Sequence, residues 1–125
     1  MKKIKLPKNW KSKIYIEEIK VSKKEIKFVL LFSEKIKGYD LEIGYIHIVK
    51  KGKRNFVKVV SVIPKMRGLG MGTFLYEHVI QNIGTLSTNY KAASAFAQHV
   101  WKRLIKKYKH KDDLFSGILT VFKKD

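Results

Sequence analysis

Apolar residues in the first half of the chain recur at every second position. In residues 13–21, Ile14 and Ile16 fall on one side, with Tyr15, Glu17, Ile19 and Val21 on the other. Residues 25–32 place Ile26, Phe28, Leu30 and Phe32 on one side and Lys27, Val29 and Leu31 opposite. Residues 41–49 align Leu41, Ile43, Tyr45, His47 and Val49. Residues 56–63 are the most apolar run and suit a central, buried strand. Period-two alternation rich in β-branched and aromatic residues predicts strands. The turns at Ser22-Lys23-Lys24, Lys37-Gly38-Tyr39-Asp40 and Lys51-Gly52-Lys53 are short, so neighbouring strands are expected to be antiparallel.

The period then changes. Over residues 73–83, Leu75, Val79 and Ile83 recur every fourth position beside Tyr76 and Ile80, which predicts a helix stopped near Gly84. Residues 85–89 read as a short fifth strand. Residues 90–108 read as a second helix, with Ala93, Phe96, Ala97, Val100, Leu104 and Tyr108 as its apolar stripe. Its other face carries Lys91, Gln98, Lys102, Lys106 and Lys109. Residues 114–122 close the chain as a last strand. This order predicts one α/β (α+β) domain over residues 1–125, with a mostly antiparallel mixed sheet of about six strands and two main helices.

Composition narrows the classes. With 125 residues and 45% hydrophobic content there is material for a packed core. The absence of cysteine excludes a disulfide scaffold, thiolate zinc sites and a cysteine nucleophile. The longest uncharged apolar stretch, residues 28–33, is far short of the roughly 20 residues that span a bilayer. The basic start, residues 1–8, lacks the apolar run of a signal peptide. The expectation is a soluble protein with no membrane partner, in the cytoplasm of a bacterial or phage-infected cell. Lys and Arg number 28 against 10 Asp and Glu, a formal net charge of +18. A lysine-rich surface gains affinity for phosphates by displacing counterions. Arginine contributes only Arg54, Arg67 and Arg103, a mix that also fits a coding sequence rich in A and T, although such a bias should raise Glu along with Lys and the acids here stay few.

Residues 64–75 carry the most chemistry. Gly68, Gly70 and Gly72 lie within five positions, between the apolar fourth strand and the first helix. Glycine allows a backbone to approach a ligand closely. The first N–H groups of a helix lack intrahelical partners and favour an anion such as a pyrophosphate. No lysine follows Gly72, so a Walker A loop is excluded, and Thr73 stands where a dinucleotide fingerprint needs its third glycine. The pattern that fits is Arg-x-x-Gly-x-Gly, as Arg67, Gly70 and Gly72, preceded by Pro64 and followed by Leu75.

This string resembles motif A of the GNAT superfamily of acyl-CoA N-acyltransferases, a likeness covering about residues 41–108. It implies acetyl-CoA as cofactor and acetyl transfer to a primary amine. It also implies that Ser61, Val62 and Ile63 meet the pantetheine arm, with the Val62 amide at the developing oxyanion. Backbone N–H groups from Arg67 through Gly68, Leu69, Gly70, Met71 and Gly72 to Thr73 would hold the pyrophosphate. Asn89 and Ser94 would face the cofactor, as in small phage-type members, while Trp101 packs in the core.

The resemblance stops at the catalytic acid. Where many members carry a tyrosine, about seven residues after Asn89, this chain has Phe96. Ser94 and Tyr108 are no convincing replacement, and the catalytic residues are not identified by the sequence. Glu42 and His47, on the strand beside the proposed cofactor strand, are weak candidates for the base. A hydrogen-bonded structural histidine is the plainer reading of His47. His78, His99 and His110 have no metal-site spacing.

Basic residues gather at a hairpin tip (Lys50, Lys51, Lys53, Arg54), along the second helix and just beyond it (Lys102, Arg103, Lys106, Lys107, Lys109, Lys111) and over residues 2–13. They point to DNA, RNA or another acidic partner, and the acceptor amine would then sit on a modified DNA base, a tRNA or a protein. The alternative is a GNAT-fold protein that binds nucleic acid or inhibits without turnover. A plain basic DNA-binding domain is a third reading, although no nucleic-acid motif is present.

Overall fold

The alternating half of the chain forms a four-stranded antiparallel meander in a computed structural model that describes residues 8–113 and 115–123. After a 3-10 turn, Trp10–Lys13, come β1 (Ile14–Lys20), β2 (Glu25–Phe32), β3 (Glu42–Lys51) and β4 (Arg54–Val62). A second 3-10 turn, Pro64–Met66, leads to α1 (Met71–Ile83) and β5 (Thr85–Asn89). A third, Tyr90–Ala92, precedes α2 (Ala95–Lys107), β6 (Lys109–Asp113) and β7 (Ile118–Phe122). The strands make one sheet in the order β1-β2-β3-β4-β5-β7-β6. Its one parallel pair is β4 with β5, which α1 connects as a crossover.

The register sorts side chains onto two faces. Ile26, Phe28, Leu30 and Phe32 of β2 align with Ile46 and Ile48 of β3 and with Val60 and Val62 of β4. Leu86, Leu119 and Val121 continue this face, and both helices pack on it. From α1 come Leu75, Tyr76, Val79 and Ile80; from α2 come Ala97, Val100, Trp101 and Leu104. The helices also meet each other, with the Tyr76 and Trp101 rings 5.7 Å apart, edge to face. Burial pushes the Tyr76 hydroxyl up to about 12. On the opposite face, Tyr15 (48% exposed), Ile19 and Val59 remain open, and no described helix covers them.

Among the described residues the strands number seven rather than six. β6 consists of Lys109 to Asp113, all polar and almost all exposed, so it has no apolar alternation to announce it. Lys109 therefore belongs to a strand, not to the polar face of the second helix. That helix begins at Ala95, because Ala93 and Ser94 are extended and the Ser94 hydroxyl accepts from the Ala97 N–H at 3.1 Å. Phe96 is 55% exposed and leaves the apolar stripe; Trp101, fully buried, takes its place. β4 is central in order but not buried throughout, since no described helix covers one of its faces and its C-terminal half pairs with β3 alone, with no register pair to β5 beyond Phe56. The beginning of the expected last strand, Leu114, lies outside the described residues. So do residues 1–7, with their basic run and the signal-peptide reading.

Candidate functional site

β4 and β5 are paired at one register point, Phe56 with Ser87, and diverge beyond it. The gap exposes the inner edge of β4. The Ile63 N–H donates to the Ile43 carbonyl, so in the antiparallel ladder Ser61 bonds toward β3 while the amide groups of Val60 and Val62 point into the gap. Arg67 folds back and its Nε donates to the Val62 carbonyl at 3.0 Å, which ties the loop to the end of the strand. Met66, fully buried, anchors the same loop in the core.

The loop then opens α1. Gly68 and Gly70 adopt positive φ of 80° and 83°, which a side chain would strain. Gly70 is the N-cap and no side chain caps the helix, so its first N–H groups face outward. A cleft of about 650 Å³ runs from the edge of β4 to this helix start. β4 supplies Val60, Ser61 and Val62; the loop and α1 supply Met66, Arg67, Gly68, Gly70, Met71, Gly72 and Thr73. The far wall is α2, through Phe96, His99, Val100 and Arg103. The volume is within the usual range for ligand sites. The Phe96 ring lies on Gly72, where an added Cβ would come 2.9 Å from its Cζ.

No protein-family model matches the chain, and no curated protein matches its sequence. Solved structures do. An acetyltransferase of the GNAT family from Staphylococcus aureus Mu50 aligns with a TM-score of 0.50 over 79% of this chain and 68% of its own, at 15% identity. The chain has the GNAT fold. Two further structures align at a TM-score of 0.49: the ribosomal-protein-S18-alanine N-acetyltransferase from Escherichia coli and nourseothricin acetyltransferase. Their identities are 15% and 20%; each covers 80% of this chain, against 67% and 64% of their own. The chain thus spans about two thirds of the length of these structures.

Within this GNAT fold the expected cofactor residues separate into two groups. Ser61, Val62, Arg67, Gly68, Gly70, Met71, Gly72 and Thr73 come together in the cleft. Ile63, Leu69, Asn89 and Ser94 are not among its lining residues. Ile63 packs against the core and Leu69 is exposed. Asn89 ends β5 beside Gly117, and Ser94 caps α2.

Neither candidate base lines the cleft. Glu42 is exposed at the start of β3. His47 lies on the helix-free face, its Nε2 3.3 Å from Glu25. Lys58 bonds the same carboxylate at 3.1 Å and holds it below the usual carboxylate range.

The basic residues disperse as well. Arg103 joins the cleft, whereas Lys102 and Lys106 stay exposed on α2 and Lys107 pairs with Glu77 at 2.5 Å. Lys50 borders a second depression of about 500 Å³ with Lys20, Lys23 and Lys24. Lys51, Lys53 and Arg54 are exposed at the hairpin tip, where Arg54 reaches Asp113 at 3.4 Å.

The sequence placed neither His99, Arg103 nor Gly44 at this cleft, and Arg103 stood instead among the basic residues expected to meet nucleic acid. His99 and Arg103 share the i, i+3 and i, i+4 spacing of α2 with Phe96, a signal that was available once Phe96 was set outside the core. Gly44 had no signal at all. It faces Val62 across the ladder, and a Cβ there would stand 2.4 Å from the Ser61 carbonyl oxygen. Among the described residues no group of acids and histidines could hold a metal ion, and no helix is long and apolar enough to cross a membrane.

Proposed function

We propose that residues 1–125 form a single acetyl-CoA-dependent N-acetyltransferase domain that acts on a primary amine in the cytoplasm of a bacterial or phage-infected cell. The carrying observation is the continuity of the cleft: strand-edge amides of Val60 and Val62 lead directly to an uncapped helix start with two positive-φ glycines. The donors suit one elongated ligand with amides at one end and a pyrophosphate at the other. When bound, acetyl-CoA supplies the activated acyl group as a thioester.

The chain's own part is positioning. The edge of β4 extends its ladder to the amide-bearing arm, and the first amides of α1 hold the pyrophosphate with the helix dipole behind them. Arg67 and Arg103 add positive charge at the cleft. The Val62 N–H is the donor directed toward a polarised carbonyl oxygen. Phe96 has no proton to give, so the thiol leaves as a thiolate, which its modest pKa allows. The amine must arrive neutral.

Thermal unfolding with acetyl-CoA tests this reading. At 100 times its dissociation constant a ligand stabilises by about 2.7 kcal/mol. Unchanged melting at millimolar acetyl-CoA would sink it. The position of Phe96 on Gly72 favours a second reading, a GNAT-fold nucleic-acid-binding or inhibitory protein without turnover. That reading predicts cofactor binding, if any, without release of free thiol in the presence of amines. The net charge supports an acidic acceptor carrier, whether a modified DNA base, a tRNA or an acidic protein.

A further inference from the structure

The face of the sheet opposite the helices carries side chains that the core does not use. Val29 is 5% exposed yet lies outside the main core cluster, and Leu31, Tyr45, Val49 and Phe56 are half-buried without packing against it. β1 and β2 are joined by the tight turn at residues 21–24, so no intervening chain covers them. The face is also basic. Lys27 stands 4.2 Å above the Tyr45 ring, Lys51 stands near Phe56, and Lys111 extends the same row on β6. Of its acids, Glu25 is engaged by Lys58 and His47 and Asp113 by Arg54, while Glu17 stays exposed in the row of Val29 and Tyr45, outnumbered by the lysines around it. The Arg54–Asp113 contact spans from β4 to β6 with β5 and β7 between them, which curls the far edge over this face into a trough.

An apolar and aromatic floor bordered by lysines that form no ion pair among the described residues does not suit a second copy, since each copy carries +18. It suits a flexible polyanion with flat rings. We propose that the helix-free sheet face binds single-stranded RNA, with a base stacked on the exposed Tyr15 ring and phosphates on Lys27, Lys51 and Lys111. Unstacked bases find π-faces on such a sheet, and the backbone releases counterions from its lysines. The exposed Ser61 hydroxyl, in the same cross-strand row as Tyr45, offers a partner to a ribose 2′-hydroxyl that deoxyribose lacks. This deepens the acceptor side of the function proposed above and rests on that reading for the reaction, but not for the binding itself.

The test is fluorescence anisotropy of a labelled oligouridylate of about 12 nucleotides, within the site sizes of single-strand binders. Tyr15→Thr keeps a strand-forming residue and should weaken binding about tenfold. Lys27→Gln with Lys51→Gln and Lys111→Gln should lower the slope of log affinity against log salt by about 2, at roughly 0.7 per phosphate contact. Lys102→Gln with Lys106→Gln, on the far side of the molecule, should leave that slope nearly unchanged. The proposal is overturned by equal losses from the α2 variant, by equal affinity for oligothymidylate or duplex, or by equally effective competition from polyglutamate. Acetyl-CoA thermal shifts on the same variants separate the two readings. An intact shift with no RNA binding overturns the RNA surface alone; RNA binding with no shift in the unsubstituted protein overturns the transferase alone.

Discussion

Gly70 and Gly44 constrain the cleft in different ways, and substitution distinguishes them. Gly70 has open space where a Cβ would go, but its φ of 83° is strained for any L side chain. Gly70→Ala should cost about 1 kcal/mol of stability and weaken acetyl-CoA binding, read by thermal unfolding with and without ligand. Gly44→Ala should cost more, about 1–3 kcal/mol, because its Cβ meets the Ser61 backbone, which cannot rotate away. An equal loss in the two variants would show that β4 yields more easily than its ladder suggests. At this scale the glycine loop was legible in the sequence because three glycines in five positions are rare in a helix-forming region. Gly44 was not, because a single glycine in a strand gives no hint of which backbone lies against it.

Among the elements, α2 shows how a cap overrides a stripe. Ala93 continues the apolar spacing, yet the helix waits for Ser94, whose hydroxyl satisfies a helix-start N–H. Ser94→Ala should lower stability by about 1 kcal/mol, while Ser94→Asp, also a good cap, should restore it. Unchanged melting in Ser94→Ala would remove the capping role. Retained acetyl-CoA binding in both variants would show that the hydroxyl does not serve the cofactor. On this helix Phe96 lines the cleft, beside His99 and Arg103, instead of joining the core stripe in which its spacing had placed it. β6 was invisible for the opposite reason: a strand of polar residues at a sheet edge is held by backbone bonds to β7, which leave no hydrophobic period behind.

Over the whole molecule, charge and burial act on stability together as pH falls. His78 lies 5.3 Å from Phe28, and burial holds its imidazole below the ordinary value of 6.5. A lowered folded pKa means that the neutral form is favoured in the fold. That contribution is complete above the unfolded value and is lost as pH drops from about 6.5 through the folded value. Protonating His78 also adds to a net charge of +18. The melting temperature should therefore fall between about pH 7 and pH 5, less steeply in His78→Gln. Salt should offset the repulsion, which is long-ranged and screened, but not the burial of His78. A pH profile unchanged by His78→Gln would refute the histidine's part.

The local periods determined most of the elements, because backbone pairing and one-sided burial impose the same 2- and 3.6-residue repeats in any fold. The glycine loop, and the anion it suits, followed from the backbone geometry that only glycine permits. Tertiary structure decided the rest: that β4 and β5 part after one pair, that both helices lie on one face, and that Glu42 and His47 stand away from the cleft. These depend on which surfaces meet across long stretches of chain, and no local pattern records them. The charge of +18 was legible from composition alone, but its division between the cleft beside β4 and an open sheet face required the fold.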